Sequence, residues 1–132
     1  MMINNNHYLN FDKTNFFFPV SAPEHLNYMY VLRDIISKNM EKLLLDNSII
    51  TAVYGSFSGA IWNDGRTISK KRVSTEYIRA TIDSLNKAGL AYRATFTNSF
   101  ISSEYVNDLY CNNILDIMDN GFGNEAIVFH MN

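Results

Sequence analysis

Polar side chains that could bind a ligand follow two apolar runs of the sequence, one ending at Gly55 and the other at Phe96. These stretches combine hydroxyl, amide and guanidinium groups with an indole ring. Such groups donate and accept hydrogen bonds and offer an aromatic face, which suits a small polar molecule. The candidate ligand-binding residues of the two stretches are Ser56, Ser58, Trp62, Asn63, Arg66, Thr97 and Asn98.

The same residues also admit a purely structural interpretation. Asn98 and Ser99 are of the types that turn a chain after a strand, and Trp62 could pack its loop onto a sheet. The sequence leaves both interpretations open.

Two further residues are candidates because of their position in predicted strands. Arg93 lies among apolar neighbours, where a guanidinium requires an acceptor. It therefore either binds an anionic ligand group inside a barrel, or faces solvent or pairs with an acid on an edge strand. Of the three histidines, only His130 lies near the end of a predicted strand, so it is the one that we consider as a ligand-binding candidate.

Other reactive groups show no pattern of catalysis or metal binding. The three histidines are far apart and match no metal-ligand spacing. Cys111 lies inside a predicted helix, where nothing in the sequence lowers its pKa, and we expect a small core residue there. No nucleophile is paired with a base, so the sequence predicts no metal site and identifies neither a catalytic residue nor a cofactor.

Predicted strands and helices alternate along the chain. Short apolar, β-branched runs indicate strands, and apolar residues at three- and four-residue steps indicate helices. The predicted order is strand 15–20, helix 23–45, strand 49–55, helix 75–88, strand 90–96, helix 103–120 and strand 125–130. This βαβαβαβ order predicts an α/β fold with a four-stranded, mainly parallel sheet, as a small open sheet or a partial (βα) barrel.

Helix ends are predicted from capping residues. Ser74 or Thr75 caps the second helix, and Gly89 ends it. Ser102 or Ser103 is predicted to cap the third helix, with Glu104 in its first turn. The apolar stripe of that helix is predicted to be Val106, Leu109, Tyr110, Asn113, Ile114 and Ile117.

The predicted domain organisation is a polar tail at residues 1–14 and a single α/β domain at 15–132, an incomplete barrel. Strand 15–20 is continuously apolar, as in strands buried on both faces. If all helices lie on one side, the other sheet face must be buried elsewhere. We expect Ile50, Ala52, Phe96 and Val128 on that face. The unit is then a piece of a longer barrel, or a half-unit completed by a second copy or another chain.

Composition narrows the class of partner. The net charge is −2 in 132 residues, and the one basic cluster, at residues 70–72, is too short to follow a phosphate backbone. The longest aromatic run is far shorter than the ~20 residues of a membrane helix. With one cysteine and no leader pattern, we expect a cytoplasmic protein that binds neither nucleic acid nor membrane.

Three stretches together resemble a known group of proteins. They are residues 54–66 (YGSFSGAIWNDGR), 93–98 (RATFTN) and 110–112 (YCN). In this pattern the chain is similar to the front half of poorly characterised bacterial TIM-barrel proteins, distantly similar to collagenase-like peptidases and radical-SAM barrels. Independently of the resemblance, ligands in parallel α/β sheets and barrels bind at the carboxyl ends of the strands, where the candidate residues lie. The three-cysteine cluster of a radical-SAM enzyme is absent from the sequence, and the further βα units of such barrels would lie past His130.

Overall fold

The computed structural model describes residues 8–20, 23, 48–63 and 71–128. Its strands are β1 (Thr14–Pro19), β2 (Ser48–Gly55), β3 (Ala91–Phe96) and β4 (Glu125–Val128). Its α-helices are α1 (Thr75–Lys87) and α2 (Leu109–Met118), and a short 3-10 turn spans Ser103–Tyr105. All strand pairs are parallel, in the order β1-β2-β3-β4. The predicted α/β class with a parallel sheet is therefore confirmed.

Some predicted features lie outside the described residues. These are most of the first predicted helix at 23–45, the turn that contains Arg66, and the end of the last strand with His130.

The two described helices lie on the same side of the sheet. Helix α1 connects β2 to β3, and α2 connects β3 to β4, so each helix joins neighbouring parallel strands. The helices contact each other and share one apolar core with the sheet. Doubly wound sheets reverse their strand order at a switch point. The described strands show no such reversal and form an open, singly wound sheet.

The core lies between the helices and the sheet. Ile78, Ile82 and Leu85 of α1 are buried, as their helical spacing predicts. They pack in one cluster with Tyr92 and Phe96 of β3. Each fully buried aliphatic side chain contributes roughly 2 kcal/mol to folding. The helix side of the sheet is therefore the main source of stability among the described elements.

Helix α1 begins and ends as predicted. The Ser74 hydroxyl accepts a hydrogen bond from the Tyr77 backbone N–H at 3.2 Å, which satisfies one free donor of the first turn. Gly89 follows the helix with φ of +78°, the left-handed conformation that favours glycine.

The predicted start of the third helix is wrong. Residues 103–105 form a 3-10 turn, and α2 begins only at Leu109. The carboxylate of Asp108 provides the cap by accepting from the Cys111 N–H at 2.9 Å, whereas the Ser102 side chain caps nothing. Val106 and Leu109 are consequently exposed, Leu109 by 78%, and Asn113 is exposed as well. Tyr110, Ile114 and Ile117 do face the core.

A bulge interrupts the pairing of β1 with β2. Phe16 pairs with Ile50, but the next residue, Phe17, pairs with Ala52, so Thr51 is an extra residue in β2. Ile50 packs on the helix-side core, whereas Ala52 belongs to a cluster on the opposite face. The buried Thr51 hydroxyl makes no hydrogen bond.

Two further predictions about the sheet are corrected. In the described sheet β1 is an edge strand, and Phe16 is 45% exposed, so β1 is not buried on both faces. Of the apolar residues expected on the face away from the helices, only Ala52 lies there. Ile50 and Phe96 pack on the helix side, and Val128 is in register with Phe96. The bulge accounts for the different positions of Ile50 and Ala52.

The folded region also begins before residue 15. Tyr8 is buried and packs with Leu9 against Ala52, Ala91 and Phe122. An aromatic ring buries a large apolar surface, so residues 8 and 9 pack on the sheet within the segment predicted as a polar tail.

Three asparagines connect four elements at the amino end of β3 and β4. Asn86 at the end of α1 donates to the Leu90 carbonyl at 3.0 Å. Asn124, just before β4, accepts from the Tyr92 N–H at 2.9 Å and donates to the Met118 carbonyl at 3.0 Å. Asn120 donates to Asn86 at 2.8 Å. We call Asn86, Asn120 and Asn124 the amide network.

Candidate functional site

One face of the sheet lies away from both described helices, and we call it the open face. Strand register places its side chains in three rows. From the amino end to the carboxyl end the rows are Phe17, Ala52 and Ala91; Pro19, Tyr54, Arg93 and Glu125; and Ser56, Thr95 and Ile127.

Arg93 lies in the middle row. Its Nε is 2.8 Å from Glu125 Oε2 on the neighbouring strand. That nitrogen is buried, and its N–H does not point at the carboxylate well enough for a hydrogen bond, so the contact is an ion pair without good hydrogen-bond geometry. The guanidinium carbon lies 4.4 Å from the centre of the Phe17 ring, a cation–π contact. Glu125 and Phe17 thus hold the guanidinium from two sides.

The predicted alternatives for Arg93 are partly resolved by this geometry. Arg93 pairs with an acid, as one alternative expected, but β3 is an inner strand of the described sheet and not an edge strand. Its side chain is 23% exposed. A ligand role for Arg93 stays a prediction.

Tyr8 covers the amino end of the open face. Its ring meets Phe17 edge to face, with ring centres 6.3 Å apart. Burial, followed by the hydrogen bond and the negative charge of Glu125, raises the pKa of Tyr8 to about 12, although the charge of Arg93 acts in the opposite direction. Tyr8 therefore stays protonated at neutral pH and can donate to Glu125.

Hydroxyl groups line the carboxyl end of the open face. Ser56 Oγ lies 2.7 Å from the Thr95 carbonyl oxygen and 2.9 Å from Thr95 Oγ1. The Ser56 hydroxyl can donate to the Thr95 carbonyl while the Thr95 hydroxyl donates to Ser56 Oγ. Both hydroxyl oxygens then keep lone pairs that can accept further hydrogen bonds. Thr97 lies one residue beyond the end of β3 and is half-buried. Ser56 and Thr95 therefore continue the polar surface from Arg93 towards the carboxyl end of the strands.

Trp62 and Asn98 contact the other side of the sheet. The indole ring meets Phe96 edge to face at 5.3 Å, and its N–H donates to the Tyr105 carbonyl at 2.7 Å. The Asn98 amide donates to the Ile61 carbonyl at 2.7 Å and accepts from the Phe100 N–H at 3.0 Å. These contacts agree with the structural interpretation of Trp62 and Asn98, in which they hold two loops together.

Ser58 and Asn63 lie in the same loop as Trp62. The Ser58 carbonyl accepts from the Tyr110 hydroxyl at 2.9 Å, so this part of the loop is joined to α2. Asn63 is buried, and its backbone N–H donates to the Ala60 carbonyl at 3.2 Å. The candidate residues are thus divided between the two sides of the sheet, with Ser56 and Arg93 on the open face. Arg66 and His130 lie outside the described residues.

The ends of β1 and β2 approach closely at Gly55. A Cβ on this residue would collide with the Val20 carbonyl oxygen, and the Val20 N–H donates to the Tyr54 carbonyl at 2.8 Å. The buried Tyr92 hydroxyl donates to the Gly55 carbonyl at 2.9 Å. Glycine at this position therefore lets three strands meet directly below Ser56.

A second cluster of polar side chains lies on the helix side of the sheet and sets the position of α2. Arg72 Nη2 is 2.8 Å from Asp108 Oδ2, and its guanidinium lies 4.9 Å from the centre of the Tyr110 ring. Burial opposes ionisation of Asp108, but hydrogen bonds from Cys111 and Arg72 outweigh it and lower the pKa of this carboxyl. The Val73 N–H donates to the Tyr110 hydroxyl at 3.1 Å.

Cys111 is a buried core residue, as predicted. Burial raises the pKa of its thiol to about 11, and the hydrogen bond and negative charge of Asp108 act in the same direction, whereas backbone hydrogen bonds of Trp62 and Ile61 act in the opposite direction. A thiol with this pKa is a poor nucleophile at neutral pH.

Sequence reasoning missed Glu125, Tyr8, Phe17 and Thr95. Glu125 carried a usable signal, because an acid in a short apolar strand needs a cation on a neighbouring strand, and Arg93 was already identified. Thr95 is two residues from Arg93 and shares its face by strand alternation. Tyr8 and Phe17 gave no comparable signal, because their contacts depend on the course of the chain before β1 and on the bulge.

Comparison of the chain with models of protein families, with curated proteins and with solved structures finds no match in any of the three. Among the described helices, none is long and apolar enough to cross a membrane. Within the described residues, no group of three or more His, Cys, Asp or Glu side chains could hold a metal ion.

Proposed function

We propose that the protein is a partial (βα)-barrel unit that binds a small polar ligand at the carboxyl end of its open face. One observation carries the proposal: Arg93, Thr95 and Ser56 place polar groups in the centre of a parallel-sheet face that the described helices do not cover. Parallel strands buried on both faces are normally apolar throughout. A polar centre on this face therefore favours a ligand over simple packing.

The sequential strand order supports the barrel part of this proposal. Sequential parallel strands with helices on one side are the arrangement of (βα) barrels, in which ligands bind at the carboxyl ends of the strands. Among the described residues, Tyr8 covers the amino end of the open face, so we place the approach of a ligand at the carboxyl end. The resemblance to bacterial TIM-barrel proteins leads to the same proposal.

Nuclear magnetic resonance with ¹⁵N-labelled protein tests this proposal. The probes are glucose, glycine and succinate at millimolar concentration, which represent neutral, zwitterionic and anionic polar molecules. We expect at least one probe to shift the backbone amides of Ser56, Thr95 and Thr97, while Asn86 at the opposite end does not move. Thr95→Val should weaken that binding. Failure of every probe, or shifts confined to other regions, would contradict the proposal.

The matched control for Thr95→Val is Thr81→Val. Thr81 lies on α1, and its hydroxyl donates to the Tyr77 carbonyl at 2.8 Å. The control makes the same chemical change away from the open face. We expect it to leave ligand binding unchanged.

A second candidate function is self-association through the sheet edges, with a second copy of the chain as the partner. No described strand pairs with the outer edge of β1 or of β4, and Val128 on β4 is 68% exposed. Arg93 and Glu125 neutralise each other on the open face. The open faces of two copies could therefore pack together without burying an unpaired charge. Separately, the β4 edge of one copy could pair with the β1 edge of the other.

Light scattering on the purified chain tests self-association. A dimer is expected, and Val128→Lys should convert it to a monomer because a charge on an edge strand opposes pairing. Leu109→Lys is the control, since Leu109 is an exposed apolar residue on α2. A monomer at all accessible concentrations would rule out this second function.

We also propose a cytoplasmic location. The single cysteine supports it, because a chain with one cysteine cannot form an internal disulfide. Cell fractionation with a tagged chain tests the proposal.

A further inference from the structure

The guanidinium of Arg93 is fixed by groups that leave its far edge available. A guanidinium has five N–H donors arranged in a planar fork. Glu125 lies beside Nε, and the Phe17 ring lies 4.4 Å from the central carbon. The two terminal nitrogens, Nη1 and Nη2, make no hydrogen bond to any described residue. This edge therefore carries donors that no described residue accepts, in the arrangement that matches a carboxylate or phosphate group.

The neighbours of Arg93 restrict its motion. The register places Ala52 and Ala91 in the row below Arg93, and these small side chains leave room for the guanidinium to reach Phe17 from β3. A stacked and paired arginine loses less conformational freedom on binding than a free surface arginine. This pre-organisation distinguishes Arg93 from Arg79, which is exposed on α1.

We propose that Arg93 is the anion-binding residue of the open face and that the ligand carries a carboxylate or phosphate group bound by the terminal nitrogens. The inference rests on the proposed function and names the ligand class of that site. Ser56 and Thr95 then contact the polar remainder of the ligand nearer the carboxyl edge.

Glu125 has a definite role in this proposal. It positions the guanidinium through Nε and is itself hydrogen-bonded by Tyr8, but its negative charge opposes an anion bound nearby. Replacement of Glu125 by Gln keeps the shape and removes the charge. We therefore expect Glu125→Gln to strengthen anion binding, whereas a purely structural ion pair predicts no gain.

The experiment measures the binding of inorganic phosphate and of succinate to the full chain by ¹⁵N shift titration, with folding of each variant checked by its thermal melt. Arg93→Lys should weaken binding about tenfold through loss of the two-pronged contact. Arg93→Met should abolish binding, and Glu125→Gln should strengthen it severalfold. Arg79→Met, the control, should change nothing. If only one of the two probes binds, the result assigns the site to phosphate or to carboxylate.

The outcomes separate this inference from the proposed function. If Arg93→Lys folds and binds both probes as tightly as the unmodified chain, the inference is overturned. If neutral glucose binds at Ser56 and Thr95 and anions do not bind, the proposed function stands and the anion site is wrong. If phosphate binding depends on Arg93 but Thr95→Val affects no ligand, the anion site stands and the proposed site at the carboxyl edge is wrong.

Discussion

Asn86 and Asn124 are hydrogen-bonded to each other in both directions, with Asn86 Nδ2 2.8 Å from Asn124 Oδ1 and Asn124 Nδ2 3.1 Å from Asn86 Oδ1. The first residue ends α1 and the second precedes β4. Their amides also bond to the backbone of Leu90, Tyr92 and Met118. This reciprocal pair thus joins two βα units that are far apart in sequence.

Asn124→Asp tests the amide network. The substitution keeps both acceptor positions but removes the donors to Met118 and Asn86, and it places negative charge beside their oxygens. We expect the free energy of unfolding to fall by about 3 kcal/mol, measured by urea denaturation. Asn113→Asp on the exposed side of α2 is the control. Equal effects of the two substitutions would show that the network contributes little.

Asp108 is predicted to make stability depend on acid pH. Its pKa in the folded state is lower than the ordinary value of 3.8, so its contribution is complete above that value and is lost as the pH falls through the folded pKa. Asp108→Asn removes this dependence and weakens the cap of α2, at a cost of about 1 kcal/mol near neutral pH. Urea titrations between neutral and acid pH should show the two proteins converging in acid. Parallel curves would contradict the role given to Asp108.

Tyr8 is predicted to make stability depend on alkaline pH. Its pKa rises from 10.0 to about 12 in the folded state. The stabilisation is therefore complete below pH 10 and is lost as the pH rises towards 12. In Tyr8→Phe the corresponding part of the alkaline loss should be absent. The measurement is the difference in unfolding free energy between the two proteins across this range, and a constant difference would show that folding does not raise the pKa of Tyr8.

Cys111 is predicted to react slowly while the protein is folded. Its pKa is raised from 9.0 to about 11, so near pH 8 the thiolate fraction is about a hundredfold lower than in the unfolded chain. Ellman's reagent should modify the native protein at least that much more slowly than the protein in urea. The assay is unambiguous because the sequence has one cysteine. Rapid modification without denaturant would show that α2 opens readily from the core.

Thr51→Val is predicted to stabilise the protein. The Thr51 hydroxyl is buried and makes no hydrogen bond, and valine has nearly the same shape. Removal of an unsatisfied buried hydroxyl should raise the free energy of unfolding by about 1 kcal/mol. Thr81→Val, in which a bonded hydroxyl is lost, should give no such increase. A destabilised Thr51→Val protein would indicate that the hydroxyl has a hydrogen-bond partner in solution.

The sequence predicted the parallel α/β fold well, because each β-branched run and each helical stripe is a local signal. Helix α1 illustrates this, since Ser74, Ile78, Ile82 and Leu85 act as their spacing indicates. The predicted start of α2 was wrong because two sets of capping residues compete. The choice of Asp108 over Ser102 depends on Arg72, which is distant in sequence.

The candidate site was less predictable, because its geometry depends on register. Arg93 was found from its unusual position in an apolar strand. Its contacts with Glu125 and Phe17 depend on how three strands align, and one of those alignments contains a bulge. The loop residues Trp62 and Asn98 were identified by type, but type alone could not show that their side chains contact the helix side.

The bulge at Thr51 changes whether the even-numbered or the odd-numbered residues of β2 face the helices. Before it, even-numbered Ile50 points to the helices; after it, odd-numbered Val53 does so, and even-numbered Ala52 points away. Deletion of one residue here would therefore exchange the two sides of half a strand while the length of the strand barely changed. One residue position thus decides whether Ser56, directly after β2, lies on the open face or in the hydrophobic core.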